Sequence, residues 1–210
     1  MASTVQTPTF PQRLQAWILV HACPAYEKNV AHYKRALLGK LSGTILEIGP
    51  GTGVNLAYYP EKVRWIGIEP NPVLHSYLRD AIAQKQITAD LRFGHAESLG
   101  VPDASVDAVV STLVLCTVRD VAATLCEILR VLRPGGRFVF IEHVAAPPAT
   151  FTRAAQRFVK PAWRYFGDGC HPDRETWKSI ESAGFSSLHL DHFRVPSPIV
   201  GPHIRGFAVK

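Results

Sequence analysis

Short apolar runs rich in β-branched residues alternate along the chain with stretches in which apolar residues recur every three or four positions. Those two spacings separate strands from helices. Seven runs predict strands: residues 44–48, 63–68, 91–93, 106–110, 138–141, 188–193 and 204–209. Between them the helical spacing predicts a helix over Tyr26 to Leu38, with Val30, Tyr33, Leu37 and Leu38 on one face and Gly39 as its stop. A second opens at Asn71-Pro72 and buries Val73, Leu74, Tyr77, Leu78, Ala81 and Ile82. A third, capped by Asp120, carries Val121, Leu125, Ile128, Leu129 and Leu132 and stops at Pro134-Gly135-Gly136. Asp173 caps the last, which carries Trp177 and Ile180 and ends at Gly184. Residues 1–11, with three Thr and two Pro, read as a loose tail.

Strands that alternate with helices imply a parallel sheet covered on both faces. The last two strands have no helix between them, so a closing hairpin brings in one antiparallel strand. The fold class is therefore α/β, a Rossmann-like three-layer sandwich around a mostly parallel seven-stranded sheet with one antiparallel strand near the C-terminus. There is no internal repeat, and a single domain over 1–210 is expected. Within it, residues 1–25 form a tail or an N-terminal helical cover, and 146–172 form a segment over the substrate.

The 210 residues are 47% hydrophobic and 19% charged, with a net charge of +6. Lys and Arg are scattered, the densest cluster being Lys34-Arg35, so a solvated basic surface is expected and no nucleic-acid partner. Cys23, Cys116, Cys126 and Cys170 form no C-x-x-C pair and no metal-ligand spacing with His. Free thiols in a reducing compartment follow, with no metal expected. The apolar stretch Trp17-Ile18-Leu19-Val20 runs into His21 and Pro24, well short of the ~20 residues a bilayer span needs. A soluble, cytoplasmic protein is the expectation, with residues 14–38 available as an amphipathic segment on a membrane surface.

The densest chemistry is Glu47-Ile48-Gly49-Pro50-Gly51-Thr52-Gly53, where the first strand meets the next element. Glycines there let the backbone turn tightly and approach a ligand, and such ligands bind beyond the carboxyl ends of the strands, where strand order reverses. The spacing is G-x-G-x-G, not the dinucleotide G-x-G-x-x-G. In addition Glu47 precedes the first glycine by two positions, where a carboxylate repels a diphosphate and attracts an ammonium or sulfonium. These features point to S-adenosylmethionine rather than a nicotinamide dinucleotide. Glu69 closes the second strand, placed to accept hydrogen bonds from ribose hydroxyls. His95-Ala96-Glu97 follows the third strand, where a backbone N–H and a side chain meet an adenine edge.

These motifs, with Val106-Asp107-Ala108-Val109-Val110-Ser111-Thr112 and Leu132-Arg133-Pro134-Gly135-Gly136-Arg137, resemble class I methyltransferases of the methyltransferase-11 type over residues 44–143. A narrower resemblance, to the methyltransferase-like seven family of membrane-associated alkyl-thiol S-methyltransferases, runs from residue 44 to the C-terminus. It is carried by Thr112-Leu113-Val114-Leu115-Cys116, Glu142-His143-Val144, Asp168-Gly169-Cys170, Arg174-Glu175-Thr176-Trp177-Lys178 and the closing 202–210. The chain departs from that family in its N-terminal segment, which lacks the hydrophobic anchor, and in Pro50, which stands where a cysteine is usual. The resemblance implies a cofactor site of Glu47, Gly49, Gly51, Gly53, Glu69, Pro70, Ala96, Glu97 and Thr112. It also implies a small lipophilic methyl acceptor, with S-adenosylhomocysteine as the second product.

For a thiol acceptor, an in-line displacement needs alignment and a modest push toward thiolate. His143, at the carboxyl end of the fifth strand, is the first candidate base, and Asp168 the second. Tyr58 and Tyr59 are candidate covers of the cofactor. Trp163, Tyr165, Phe166 and Trp177 wall the acceptor pocket or fill the core. Cys116 and Cys126 are expected as buried filler. O-, N- or C-methylation of a small metabolite, a nicotinamide-dependent oxidoreductase and a catalytically idle partner subunit are the competing readings.

Overall fold

A computed structural model describes residues 8–85 and 87–210, the side chains of Ala22 and Cys23 excepted. Residues 1–7 of the predicted tail lie outside the described residues. Five helices and seven strands follow in the order α1 (Phe10–Leu38), β1 (Thr44–Ile48), β2 (Arg64–Ile68), α2 (Leu74–Lys85), β3 (Thr88–Arg92), β4 (Val106–Thr112), α3 (Val121–Val131), β5 (Leu132–His143), α4 (Phe151–Phe166), α5 (Thr176–Glu181), β6 (Ser187–Arg194) and β7 (Pro202–Val209). A 3-10 turn, Val54–Tyr58, separates β1 from β2.

The strands form one sheet in the order β3-β2-β1-β4-β5-β7-β6. Every neighbour pair through β5 is parallel, whereas β7 runs antiparallel to both β5 and β6. The predicted closing hairpin is thus present, and it inserts its second strand between β5 and β6. Chain order reverses beside β1, since β2 lies on one side and β4 on the other. That is where a sheet of this kind opens a crevice at its carboxyl edge.

Side chains alternate across the sheet, and the alternation builds two apolar layers. Leu46, Ile48, Ile66, Ile68, Phe138 and Phe140 face α3, meeting Leu125 and Ile128. Ile45, Trp65, Ala108, Val110 and Val139 face the other way, toward Leu38 of α1 and Leu78 of α2. Full burial of such a side chain contributes about 1.5–3 kcal/mol. The same parity puts Glu47, two residues after Ile45, in the second layer and inside the protein.

Several local expectations are corrected. The first helix starts at Phe10 rather than Tyr26. Thr9 and Gln12 form a capping box at its start, with Gln12 N–H donating to Thr9 Oγ1 at 3.5 Å and Thr9 N–H to Gln12 Oε1 at 3.0 Å. The helix passes through Pro24, a cost its docking must offset. Asn71 forms an Asx turn to the Val73 N–H at 3.1 Å, and α2 begins only after it. Asp120 does cap α3, accepting from the Ala123 N–H at 3.0 Å. Pro134-Gly135-Gly136, read as a helix stop, instead lies within β5, because Leu132 is already extended and pairs with Val106. The register then shifts to resume at Ala108–Arg137. Asp173, read as a cap, pairs with Lys160 at 3.1 Å, and α5 starts at Thr176 without a side-chain cap. The 146–172 segment contains an unforeseen 16-residue helix, α4, capped by Thr150, which accepts from the Arg153 N–H.

Candidate active site

The glycine loop leaves β1 under tight constraint. Gly49 and Gly51 both take positive φ, +57° and +62°. A Cβ on Gly49 would stand 2.7 Å from the Val114 side chain, so only glycine lets the loop lie against the segment after β4. A Cβ on Gly51 meets only Leu19 of α1, at 3.7 Å, because Gly51 faces a cavity. Gly53 turns away from it and packs against α2, where a Cβ would come within 2.9 Å of Ala81.

The cavity, of about 280 Å3, occupies the crevice at the carboxyl edge. Gly49, Gly51, Glu69 and Pro70 line one end of it, and Ala96, Glu97, Thr112 and Asp168 also reach its wall. Glu69 is 4% exposed and accepts the Gly51 N–H at 3.0 Å and the Asn71 N–H at 2.9 Å. One carboxylate thereby joins the β1 loop to the end of β2. Burial pushes its pKa up to about 7 against the opposing pull of the two N–H groups, with the charges of Asp168 and Glu47 adding to the rise. Glu97 accepts the Arg119 N–H at 2.8 Å and the Asp120 N–H at 3.3 Å, which fixes the segment leading into α3.

Glu47 does not reach the cavity. It is 1% exposed and accepts from Asn55 Nδ2 at 2.8 Å, Tyr59 Oη at 2.9 Å and Trp65 Nε1 at 2.9 Å. Burial raises its pKa against these three donors. Asn55 passes the influence forward: its amide also donates to Thr112 Oγ1 at 3.0 Å, and both residues line the cavity. Tyr59 is taken up by Glu47 and Tyr58 by Glu27, at 2.5 Å, so neither tyrosine lines the cavity.

Sequence reasoning left residues 1–25 as either a tail or a helical cover and named none of the wall residues that α1 supplies. Gln12, Gln15, Leu19 and Tyr26 line the cavity, and Asn71 Nδ2 donates to the Gln12 carbonyl at 2.9 Å and to Gln15 Oε1 at 3.0 Å. The capping pair Thr9 and Gln12 was the available signal for that helix. Asn55 was also missed, although its place just after the glycine loop marks it.

Beyond the cavity, Leu113 and Asp168 hold positive φ, +59° and +49°, and both side chains line it. Non-glycine residues in that region store strain of order 1–3 kcal/mol, and such strain clusters at ligand sites. Asp168 is half-buried and its pKa is raised by that burial, with Arg119 opposing.

His143 is 5% exposed, lines no part of the cavity and contacts Cys170 Sγ through Nε2 at 3.1 Å. It stands opposite His203 across the β5–β7 pair. Its pKa is raised: burial works against the charged ring, and the Cys170 thiolate outweighs it. Cys116, 2% exposed, hydrogen-bonds Cys170 and so holds Cys170 down to about 4, while its own thiol is pushed well up. Cys126, expected as buried filler, is exposed because it lies on the outward side of α3. Of the aromatic candidates, Trp177 packs on the core, Tyr165 and Phe166 are exposed, and none lines the cavity.

A seven-stranded sheet of this order, with a glycine loop and strand-end acid at the crevice, is the architecture of class I methyltransferases. The methyltransferase domain family described as Methyltransferase domain matches residues 46–140. Thiol S-methyltransferase TMT1A of Homo sapiens is 42% identical over 209 residues, covering 92% of this chain and 85% of that protein. Thiol S-methyltransferase TMT1B of Homo sapiens is 37% identical with the same coverage. Among solved structures, an S-adenosylmethionine-dependent methyltransferase from Mesorhizobium loti superimposes with a TM-score of 0.66 at 20% identity, covering 86% of this chain and 97% of that one. The [4+2]-cyclase SpnF superimposes at 0.68 with 18% identity, covering 87% and 80%, so this fold also carries other reactions. The chain belongs to the family of the TMT1 thiol S-methyltransferases and is an S-adenosylmethionine-dependent methyltransferase.

Proposed function

We propose that this enzyme binds S-adenosylmethionine in the crevice cavity and methylates the sulfur of a small lipophilic thiol. The observation that carries the reading is the Glu69–Gly51 contact. A buried carboxylate, adjustable in charge near neutrality, stands beside a loop position where any side chain would intrude into the cavity. The cofactor, when bound, supplies an electrophilic methyl group on a sulfonium. Glu69 accepts the ribose hydroxyls, Gly49, Gly51 and Pro70 give backbone approach, and Ala96 and Glu97 bound the adenine end. Asn55, whose buried Oδ1 has no partner among the described residues, offers that oxygen to the ammonium group, with Thr112 beside it. Glu47 and Gly53 hold this wall in place from behind.

On the acceptor side, Asp168, which lines the cavity and whose pKa burial raises, accepts the thiol proton. His143 is set behind the wall. The thiol acceptor is supported by the family membership, since TMT1A and TMT1B are named for that substrate class. Free Cys116, Cys126 and Cys170 suit a reducing, cytoplasmic setting. None of the described helices is long and apolar enough to cross a membrane. Phe151, Phe158 and Tyr165, spaced by seven on α4 and 90%, 88% and 60% exposed, favour peripheral contact with a lipid surface.

A methyl-transfer screen with alkyl thiols, phenols, amines and carboxylates tests the reading. Turnover of alkyl thiols, with S-adenosylhomocysteine formed in equal amount, supports it. Transfer only to oxygen or nitrogen acceptors overturns the thiol assignment, and absence of S-adenosylhomocysteine binding by calorimetry overturns the site.

A further inference from the structure

Cys116, His143 and Cys170 come from three separate segments: the loop after β4, the last residue of β5 and the loop after α4. Each offers one ligand atom, and these atoms all lie within 4.8 Å of one another. Hydrogen bonds to backbone carbonyls hold the segments together. His171 N–H donates to the Cys116 carbonyl at 2.8 Å, and Arg174 Nη1 donates to the carbonyls of Leu115 and Val118 at 2.5 and 2.8 Å. The cluster is therefore assembled by the fold before any ligand arrives. Its side chains are at most 9% exposed.

From this juxtaposition we infer that Cys116, His143 and Cys170 form a binding site for one thiophilic divalent cation of the zinc type. Two sulfurs and an imidazole suit zinc or cobalt(II), with ligand bonds of ~2.0–2.3 Å, and the absence of a carboxylate from the trio disfavours magnesium or calcium. The three atoms need only small inward shifts to meet such an ion. Charge is also matched, because a divalent cation with two thiolates and a neutral imidazole is neutral overall. That suits a buried place between Glu142 and Arg174, the charged groups that act on these cysteines and this histidine. Binding displaces the Cys116 thiol proton and the proton held by the His143–Cys170 pair to solvent, and involves no redox change. The protein trio leaves one tetrahedral position for an outside ligand. The inference does not depend on which atom the enzyme methylates.

The test uses the full-length chain, reduced and stripped with a chelator, titrated with cobalt(II). The expected result is one equivalent bound with thiolate-to-cobalt charge-transfer absorption, displaced by one equivalent of zinc(II). Cys116→Ser and Cys170→Ser should weaken binding by roughly 100-fold or more and lose that absorption, whereas Cys126→Ser should behave as the wild type. Zinc should also slow alkylation of Cys116 and Cys170 in the wild-type protein, a readout that needs no variant to fold. No charge-transfer band in the reduced wild type, or a band that persists in both serine variants, overturns the site. A Cys116–Cys170 disulfide that re-forms in preference to metal uptake overturns it as well.

Discussion

Two buried polar clusters flank the crevice, and they are built in opposite ways. Around Glu47, on the β1 side, the carboxylate receives three donors from Asn55, Tyr59 and Trp65 at 2.8–2.9 Å, and of these four side chains only Asn55 Oδ1 has no partner among the described residues. Around His143, on the β5 side, two thiols and a ring have chiefly one another, and His143 Nδ1, His203 Nε2 and Glu142 Oε2 have no partner among the described residues. A carboxylate saturated in this way works as framework, because removing it strands its donors. An unsaturated cluster keeps capacity for something that binds. Burial alone therefore does not tell a scaffold from a site; the accounting of partners does.

The largest effect should come from removing the saturated carboxylate. Glu47→Ala strands three buried donors, each costing about 1–3 kcal/mol, so a loss of roughly 3–5 kcal/mol is expected in urea unfolding. A loss under about 1 kcal/mol would mean the carboxylate is not a framework element. Next comes Glu69, at the end of β2 beside the glycine loop, whose pKa is raised by burial from 4.5 to about 7. The stability tied to that rise is fully present below about pH 4.5 and is lost as pH climbs through 7, about 3 kcal/mol in all. The wild-type protein should thus melt at a lower temperature at pH 8 than at pH 5.5, and Glu69→Gln should flatten that slope. S-adenosylhomocysteine affinity should run the other way, falling up to tenfold per unit below pH 7, since the ribose calls for the ionised carboxylate. Parallel pH dependence in wild type and variant would remove Glu69 from both roles.

Gly51→Val should weaken S-adenosylhomocysteine binding by about 100-fold, near 2.7 kcal/mol. Its positive φ adds a modest folding cost of about 1–2 kcal/mol. Calorimetry showing unchanged affinity would displace the cofactor from this loop. The smallest effect is expected at the unsaturated cluster: Cys170→Ser in metal-free protein should shift stability by no more than about 1 kcal/mol. A loss as large as that of Glu47→Ala would make the cluster framework too, and would erase the contrast.

The sequence by itself determined what repeats locally. Period-two alternation gave the strands, whereas the inward side of the sheet taken by Glu47 became visible only in the fold. The glycine spacing and the strand-end Glu69 marked the crevice, and Asp120 marked a helix start, because caps and tight turns are written in adjacent residues. Other features were settled only by the tertiary structure. A proline at position 24 and a tail-like composition left residues 1–25 undecided between tail and helical cover, and the passage of α1 over the cavity is stabilised by Asn71, 56 and 59 residues distant in sequence from its partners on that helix. Asp173 was spent on Lys160 instead of a cap once α4 supplied that lysine. Cys170 meets His143 across 27 residues, and neither the spacing of the cysteines nor any periodicity announces that meeting. Contacts of this kind depend on how whole elements stack, and stacking is a property of the folded chain that no short window of sequence contains.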